Sequence, residues 1–154
     1  MCSSDLGTVT YDNGTSGVGA TLTTTGSYTT IDGYNVASAG VRILVKNEAN
    51  AAWNGVYTYT NTTTITRSTD TDTYGPNSTT DLSANDYFFV TGGVVNEGSA
   101  YVCTTAGTIT FGTTNITFAY SVHHKFMMLV QVFRLRAQQL VLMPHKHKLP
   151  QLVH

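Results

Sequence analysis

A chain of 154 residues with 41% hydrophobic residues, 11% charged residues and a net charge of −1 is about one domain's worth of globular sequence. That balance excludes a disordered tail, which would be richer in charge and proline, and a phosphate-binding surface, which needs clustered Lys and Arg. The neutrality averages two unlike pieces: residues 7–121 carry three basic residues (Arg42, Lys46, Arg67) against eight acids, whereas 122–154 carry five basic residues, all five His and no acid. Every Thr and every Gly lies at or before Thr117, so two compositions meet near Ser121.

The first six residues read as a leader apart from the rest. Cys-Ser-Ser-Asp-Leu is the translation of TGC TCT TCC GAT CT, the end of a common sequencing adapter, so residues 1–6 are expected to be adapter-derived. The start has neither the basic residues nor the apolar stretch of a signal peptide. Residues 7–26 are rich in Gly and Thr, with a turn signal at Tyr11-Asp12-Asn13-Gly14. Gly14, Gly17 and Gly19 are read as turn glycines, because the chain continues into strand-like Thr21-Leu22-Thr23-Thr24-Thr25 and not into the helix that a phosphate-cradling loop requires.

Ile31-Asp32-Gly33-Tyr34 predicts a tight hairpin turn. Arg42–Lys46 and Val56–Thr60 alternate with a period of two, which predicts two half-buried strands. Their Ala-rich connection closes on Asn54-Gly55, a pair that tolerates positive φ and so turns the chain into the second strand. Thr62–Ser68 makes a third run, and Tyr74-Gly75-Pro76-Asn77 breaks the polar loop that follows. Tyr87–Thr91 is a continuous apolar run turned by Gly92-Gly93, and Val94-Val95, Ala100–Thr104, Thr108–Phe111 and Ile116–Tyr120 complete the strand-like set. Short strands separated by Gly and Asn turns predict an all-β fold over 7–121, a small antiparallel sandwich or barrel-like module.

The stretch V-R-I-L-V-K-N, then a polar run, then N-G-V-Y (Val41 to Tyr57) resembles a small domain common in bacteriophage and prophage tail-fibre and related tail proteins. Thr30–Tyr34, Thr66–Asp72, Tyr87–Val90, Gly98 and Tyr101–Cys103 extend the likeness over roughly 17–120. The family usually places Asp between the Gly and Arg of the first motif; Val41 stands there, so Arg42 must find another partner. The resemblance implies a structural module of a longer fibre chain, a homotrimer assembled with other tail proteins, made in the bacterial cytoplasm and carried in the virion. It makes Gly33, Gly40, Arg42, Lys46, Asn54, Gly55, Tyr57, Arg67 and Asp70 the expected scaffold residues.

Residues 122–154 look superficially helical, yet Gln131, Arg134, Arg136, Gln138 and Gln139 interrupt any span of the length a membrane requires. Codon arithmetic offers another origin. Reading the last base of each codon with the first two of the next, Met127-Met128 forces Asp and the junctions through Val132 permit Ala-Gly-Thr-Gly. Met143-Pro144 forces Ala, and the junctions through Lys148 permit Thr-Gln-Thr-Gln. Both restore the body's composition, so 122–154 is expected to be an out-of-frame tail.

Candidate chemistry is sparse. Asp70 and Asp72 could hold a cation with Asp32 or Asp86, but hard cations want six or more oxygens and an EF-type loop needs a Gly and a distal Glu that are missing; a solvated loop is the reading. The scattered acids single out no pair for glycoside hydrolysis. All five His lie in the tail, so the body has no imidazole to activate Cys103 or a Ser. Cys2 and Cys103 alone make neither a disulfide framework nor a zinc set. The expectation is no enzyme, no cofactor, no metal, no nucleic acid and no membrane partner. The alternative is a carbohydrate-binding module touching a host-surface glycan through Trp53, Tyr57 and Tyr59, where Tyr57 and Tyr59 share a strand face; packing is the commoner use of such aromatics.

Overall fold

The structure, a computed structural model, describes residues 2–3 (backbone), 6–73 and 81–122. The expected break at Tyr74–Asn77 and the tail from 123 onward lie outside the described residues. Strands form where Thr, Val, Ile and aromatic residues run between turns, since these residues suit a pleated surface. In chain order they are β1 (Cys2–Ser3), β2 (Val9–Asp12), β3 (Thr21–Thr24), β4 (Thr30–Ile31), β5 (Tyr34–Asn35), β6 (Arg42–Val45), β7 (Gly55–Asn61), β8 (Thr64–Arg67), β9 (Tyr87–Phe89), β10 (Ala100–Cys103) and β11 (Phe118–Tyr120). A 3-10 turn at Ala51–Trp53 lies between β6 and β7, capped by the Asn50 side chain, which accepts from the Ala52 amide.

The sheets are antiparallel apart from β1, which lies parallel to β6. Six strands form one sheet in the order β1-β6-β7-β8-β3-β2; β9, β10 and β11 form a second, with β10 central; β4 and β5 make a separate hairpin. The described residues thus form the small all-β module that the pattern predicts. The leader assignment meets two contacts: the backbone of Cys2–Ser3 pairs along β6, and Leu6 packs on the core with its amide donating to the Glu48 carboxylate at 2.9 Å. Backbone pairing along an edge does not depend on side-chain identity.

Register explains the two-sided core. Ile43 opposite Tyr57, and Leu22 opposite Ile65, place one set of side chains on the first face of the large sheet. Together with Val45, Tyr28, Ile31 and Val36 they form the main core. Leu44 opposite Val56 points to the other face, where Val90 and Tyr101 of the three-stranded sheet's side cover them, with Phe88 and Phe118 packed alongside. A third cluster, Leu82, Cys103, Ile109, Phe111 and Ile116, continues from there. Each fully buried Ile, Leu or Val in these clusters contributes about 1.5–3 kcal/mol.

Several local expectations are corrected. β6 is not half-buried: Ile43, Leu44 and Val45 are all buried, because β6 is enclosed between the two core layers. The apolar run Tyr87–Thr91 forms a strand only over Tyr87–Phe89, where Phe88 turns inward while Tyr87 and Phe89 face outward. Val94 and Val95 form no strand and are each 79% exposed, since the backbone there bends around the Asp32 carboxylate. Thr108–Phe111 is irregular and leads into a turn at 111–113, yet Ile109 and Phe111 still reach the core; the Thr114 hydroxyl takes the Thr110 amide and competes with strand pairing. β2, not anticipated in the Gly/Thr-rich start, pairs with β3 from Val9↔Thr24 to Asp12↔Thr21.

Candidate functional site

Asn54, Gly55, Tyr57 and Arg67 converge on one buried node between the main core and the third cluster. Arg67, at the end of β8, is 1% exposed. Its Nη1 donates to the Asn54 carbonyl at 3.2 Å and its Nη2 to the Tyr57 hydroxyl at 2.9 Å. The guanidinium lies 4.9 Å from the Tyr57 ring centroid and 4.5 Å from that of Phe111, so two aromatic faces take up much of its desolvated charge. Gly55 has a positive φ of 149°, which side chains with a Cβ rarely adopt, and a Cβ there would stand 2.1 Å from Arg67 Nη1. The glycine is therefore required both by its backbone conformation and by the close approach of the guanidinium. Asn54 has an ordinary φ of −58° and is no turn residue in its own right. Its side chain accepts the Glu48 amide at 2.9 Å and donates to the carbonyls of Lys46 at 3.0 Å and Ile116 at 2.8 Å.

Tyr57 donates in turn to the Trp53 carbonyl at 2.5 Å, and burial pushes its hydroxyl pKa upward against the pull of Arg67. Glu48 and Asp72 are the other buried charged residues among those described. Burial raises the Asp72 carboxyl above its ordinary value, an effect that the Arg67 charge partly offsets.

The remaining motif residues lie at the surface. Arg42, which lacks the family's neighbouring Asp, pairs with Asp70 at 3.0 Å; the two side chains are 46% and 51% exposed. Gly40 precedes this strand with φ of 81° and open space at its Cβ position. Lys46 Nζ stands 5.0 Å over the Tyr101 ring. Asp32 and Gly33, with φ of 50° and 68°, make the tight turn of the β4–β5 hairpin. The Asp32 carboxylate accepts from the Val95 amide at 2.9 Å and from the Asn96 amide and side chain at 3.0 and 3.1 Å, tying the hairpin to the loop before β10. Burial pushes its pKa up, but these hydrogen bonds outweigh that and hold it below the usual carboxylate range.

The acids set aside as cation ligands have separate tasks: Asp70 pairs with Arg42, Asp32 clamps the 94–96 loop and Asp86 accepts the Ser83 amide. Among the described residues, no group of three His, Cys, Asp or Glu is placed to hold a metal ion. Cys103 is a buried free thiol, its pKa raised by burial. No described helix is long and apolar enough to cross a membrane.

The alternative platform of Trp53, Tyr57 and Tyr59 does not form one exposed face, because Tyr57 is inside while Trp53 and Tyr59 are half-buried. Tyr57 is fully buried, Trp53 stacks on Tyr11 at 5.5 Å and 15°, and Trp53 and Tyr59 both pack against the main core. Exposed rings lie elsewhere. Tyr34, Phe89 and Tyr87 are 45%, 42% and 49% exposed. Tyr34 and Phe89 line a cleft of ≈ 340 Å³ together with Val41, Arg42, Thr91 and Gly92. Sequence reasoning missed this cleft because the Tyr87–Val90 run is apolar at every position, so no alternation marks which side chains turn outward. The contribution of Phe111 to the Arg67 node was missed for a related reason: nothing local links residues so far apart. No protein-family model, curated protein or solved structure matches this chain.

Proposed function

We propose that this chain is a structural module of a bacteriophage or prophage tail fibre, a stiff β unit that takes part in virion assembly and only indirectly in host adsorption. One observation carries the reading beyond the resemblance: Asn54, Gly55, Tyr57 and Arg67 are spent on one another inside the fold. Arg42 and Asp70 likewise spend their charges on each other. Residues used in this way fix strand positions, and a rigid β unit with exposed apolar side chains such as Tyr87 on a strand and Val94 and Val95 in a neighbouring loop suits side-by-side assembly of copies.

The unit belongs, on this reading, to a homotrimer within a longer fibre chain that contacts other tail proteins. Antibodies raised against the full chain, applied to phage particles from the bacterium that carries the gene and viewed by immuno-electron microscopy, test it. Gold along the tail fibres is the expected result. Unlabelled particles, with the antigen confined to the cell lysate, would overturn the proposal.

A further inference from the structure

We propose that the cleft between β5, β6 and β9 binds a neutral hexose ring of a polysaccharide, a site distinct from the buried Trp53–Tyr57 region. Its volume of ≈ 340 Å³ falls in the range of small-ligand pockets, roughly 300–1,000 Å³. A protein partner would need a face of about 800 Å². A sugar ring needs an aromatic surface for its C–H edges and polar groups for its hydroxyls, and the cleft lining has both, in Tyr34 and Phe89 and in Arg42 and Thr91. Tyr34 and Phe89 offer half-exposed rings, whose electron-rich faces attract the weakly positive C–H groups. The Tyr34 ring rests on Gly92, where a Cβ would come within 2.7 Å of Cε2, so it is held in place before any ligand arrives.

The polar groups decide the charge of the ligand. Arg42 supplies guanidinium donors at the cleft, and its charge is balanced by Asp70, which pairs with it at 3.0 Å without lining the cleft. Because the pair is already neutralised at 3.0 Å, an acidic sugar gains no net attraction, whereas a hydroxyl of a neutral ring accepts from the Arg42 guanidinium. Thr91 adds a further hydroxyl at the wall. The proposal does not rest on the tail-fibre reading: a fibre module without this site, or the site on another kind of surface protein, are separate results.

The test is an amide-resolved NMR titration of the full chain with maltotetraose, a galactose tetramer and chitotetraose, and with tetragalacturonate as the acidic control. Saturable shifts at Tyr34, Arg42, Phe89 and Thr91 with at least one neutral oligosaccharide are expected. Tyr34→Ala and Phe89→Ala should each weaken that binding roughly tenfold. Gly92→Ala, which displaces the Tyr34 ring, should weaken it too, whereas Tyr34→Phe should retain it. No shift at these residues with any neutral oligosaccharide would overturn the proposal, as would equal binding of the acidic control or binding that survives loss of both rings. Concentration-dependent shifts of the same residues without sugar would overturn it in favour of a second copy of the chain.

Discussion

Arg67 is enclosed at 1% exposure, so its neighbours have little freedom to accommodate change. A side chain at Gly55 must either displace Nη1 from the Asn54 carbonyl or distort a backbone held at φ of 149°. Gly55→Ala should therefore destabilise the protein by about 3 kcal/mol, combining backbone strain with a disturbed buried hydrogen bond. Gly40→Ala meets no atom and should cost only about 1 kcal/mol, from backbone strain alone. Urea midpoints of the two variants check the difference. Tyr28 presents the opposite case, since its buried hydroxyl lacks a hydrogen-bond partner. Burial, with a smaller push from Glu48, raises its pKa to about 12. The neutral form is favoured on folding, so this contribution is complete below the unfolded value of about 10 and declines as the pH climbs towards 12. Tyr28→Phe should be neutral or stabilising by up to about 1 kcal/mol at pH 8, and should lose less stability between pH 8 and 11 than the parent. Denaturation at the two pH values measures both effects.

The Asp32–Gly33 turn shows how one element positions another. Its backbone makes the β4–β5 hairpin, and its carboxylate fixes the loop that runs into β10. Because the folded pKa lies below the unfolded value of about 3.9, the clamp contributes fully above that value and is lost as pH falls through the folded pKa. Hydrogen exchange at the Val95 and Asn96 amides should accelerate in acid beyond the intrinsic rate change, and Asp32→Ala should produce the same loosening at neutral pH. The D-G hairpin was legible because a two-residue turn is a local decision. So were β3, β7, β8 and β10, where β-rich runs end at nearby turns. The Val94–Val95 bend was not, because its cause is a carboxylate some sixty positions upstream. Nor did the alternation of β6 reveal its two-sided burial, which comes from a second sheet closing over Leu44.

The cores join through residues distant in sequence, and this shapes behaviour at the scale of the whole molecule. Cys103 is 1% exposed and its thiol pKa is raised by burial, so it should resist alkylation until the fold opens globally. In a Cys2→Ser background, labelling by iodoacetamide should be slow in buffer and should rise with urea in step with loss of structure; fast labelling in buffer would mean that the third cluster opens on its own. The candidate site was partly legible at this scale. Asn54, Gly55, Tyr57 and Arg67 were singled out from their motif, but their convergence on Phe111 required the third dimension. Asn54 also has a bearing on synthesis. Its amide reaches Ile116, 62 positions later, while the Ala51 carbonyl accepts the Ile116 amide at 3.0 Å. A ribosome releases the polypeptide from its amino end, so the early hairpin must wait, incompletely closed, until the segment around Ile116 has emerged. A product terminated before that point would leave polar groups stranded in an apolar interior, which makes it a substrate for cellular proteases and not a shorter version of the same brick.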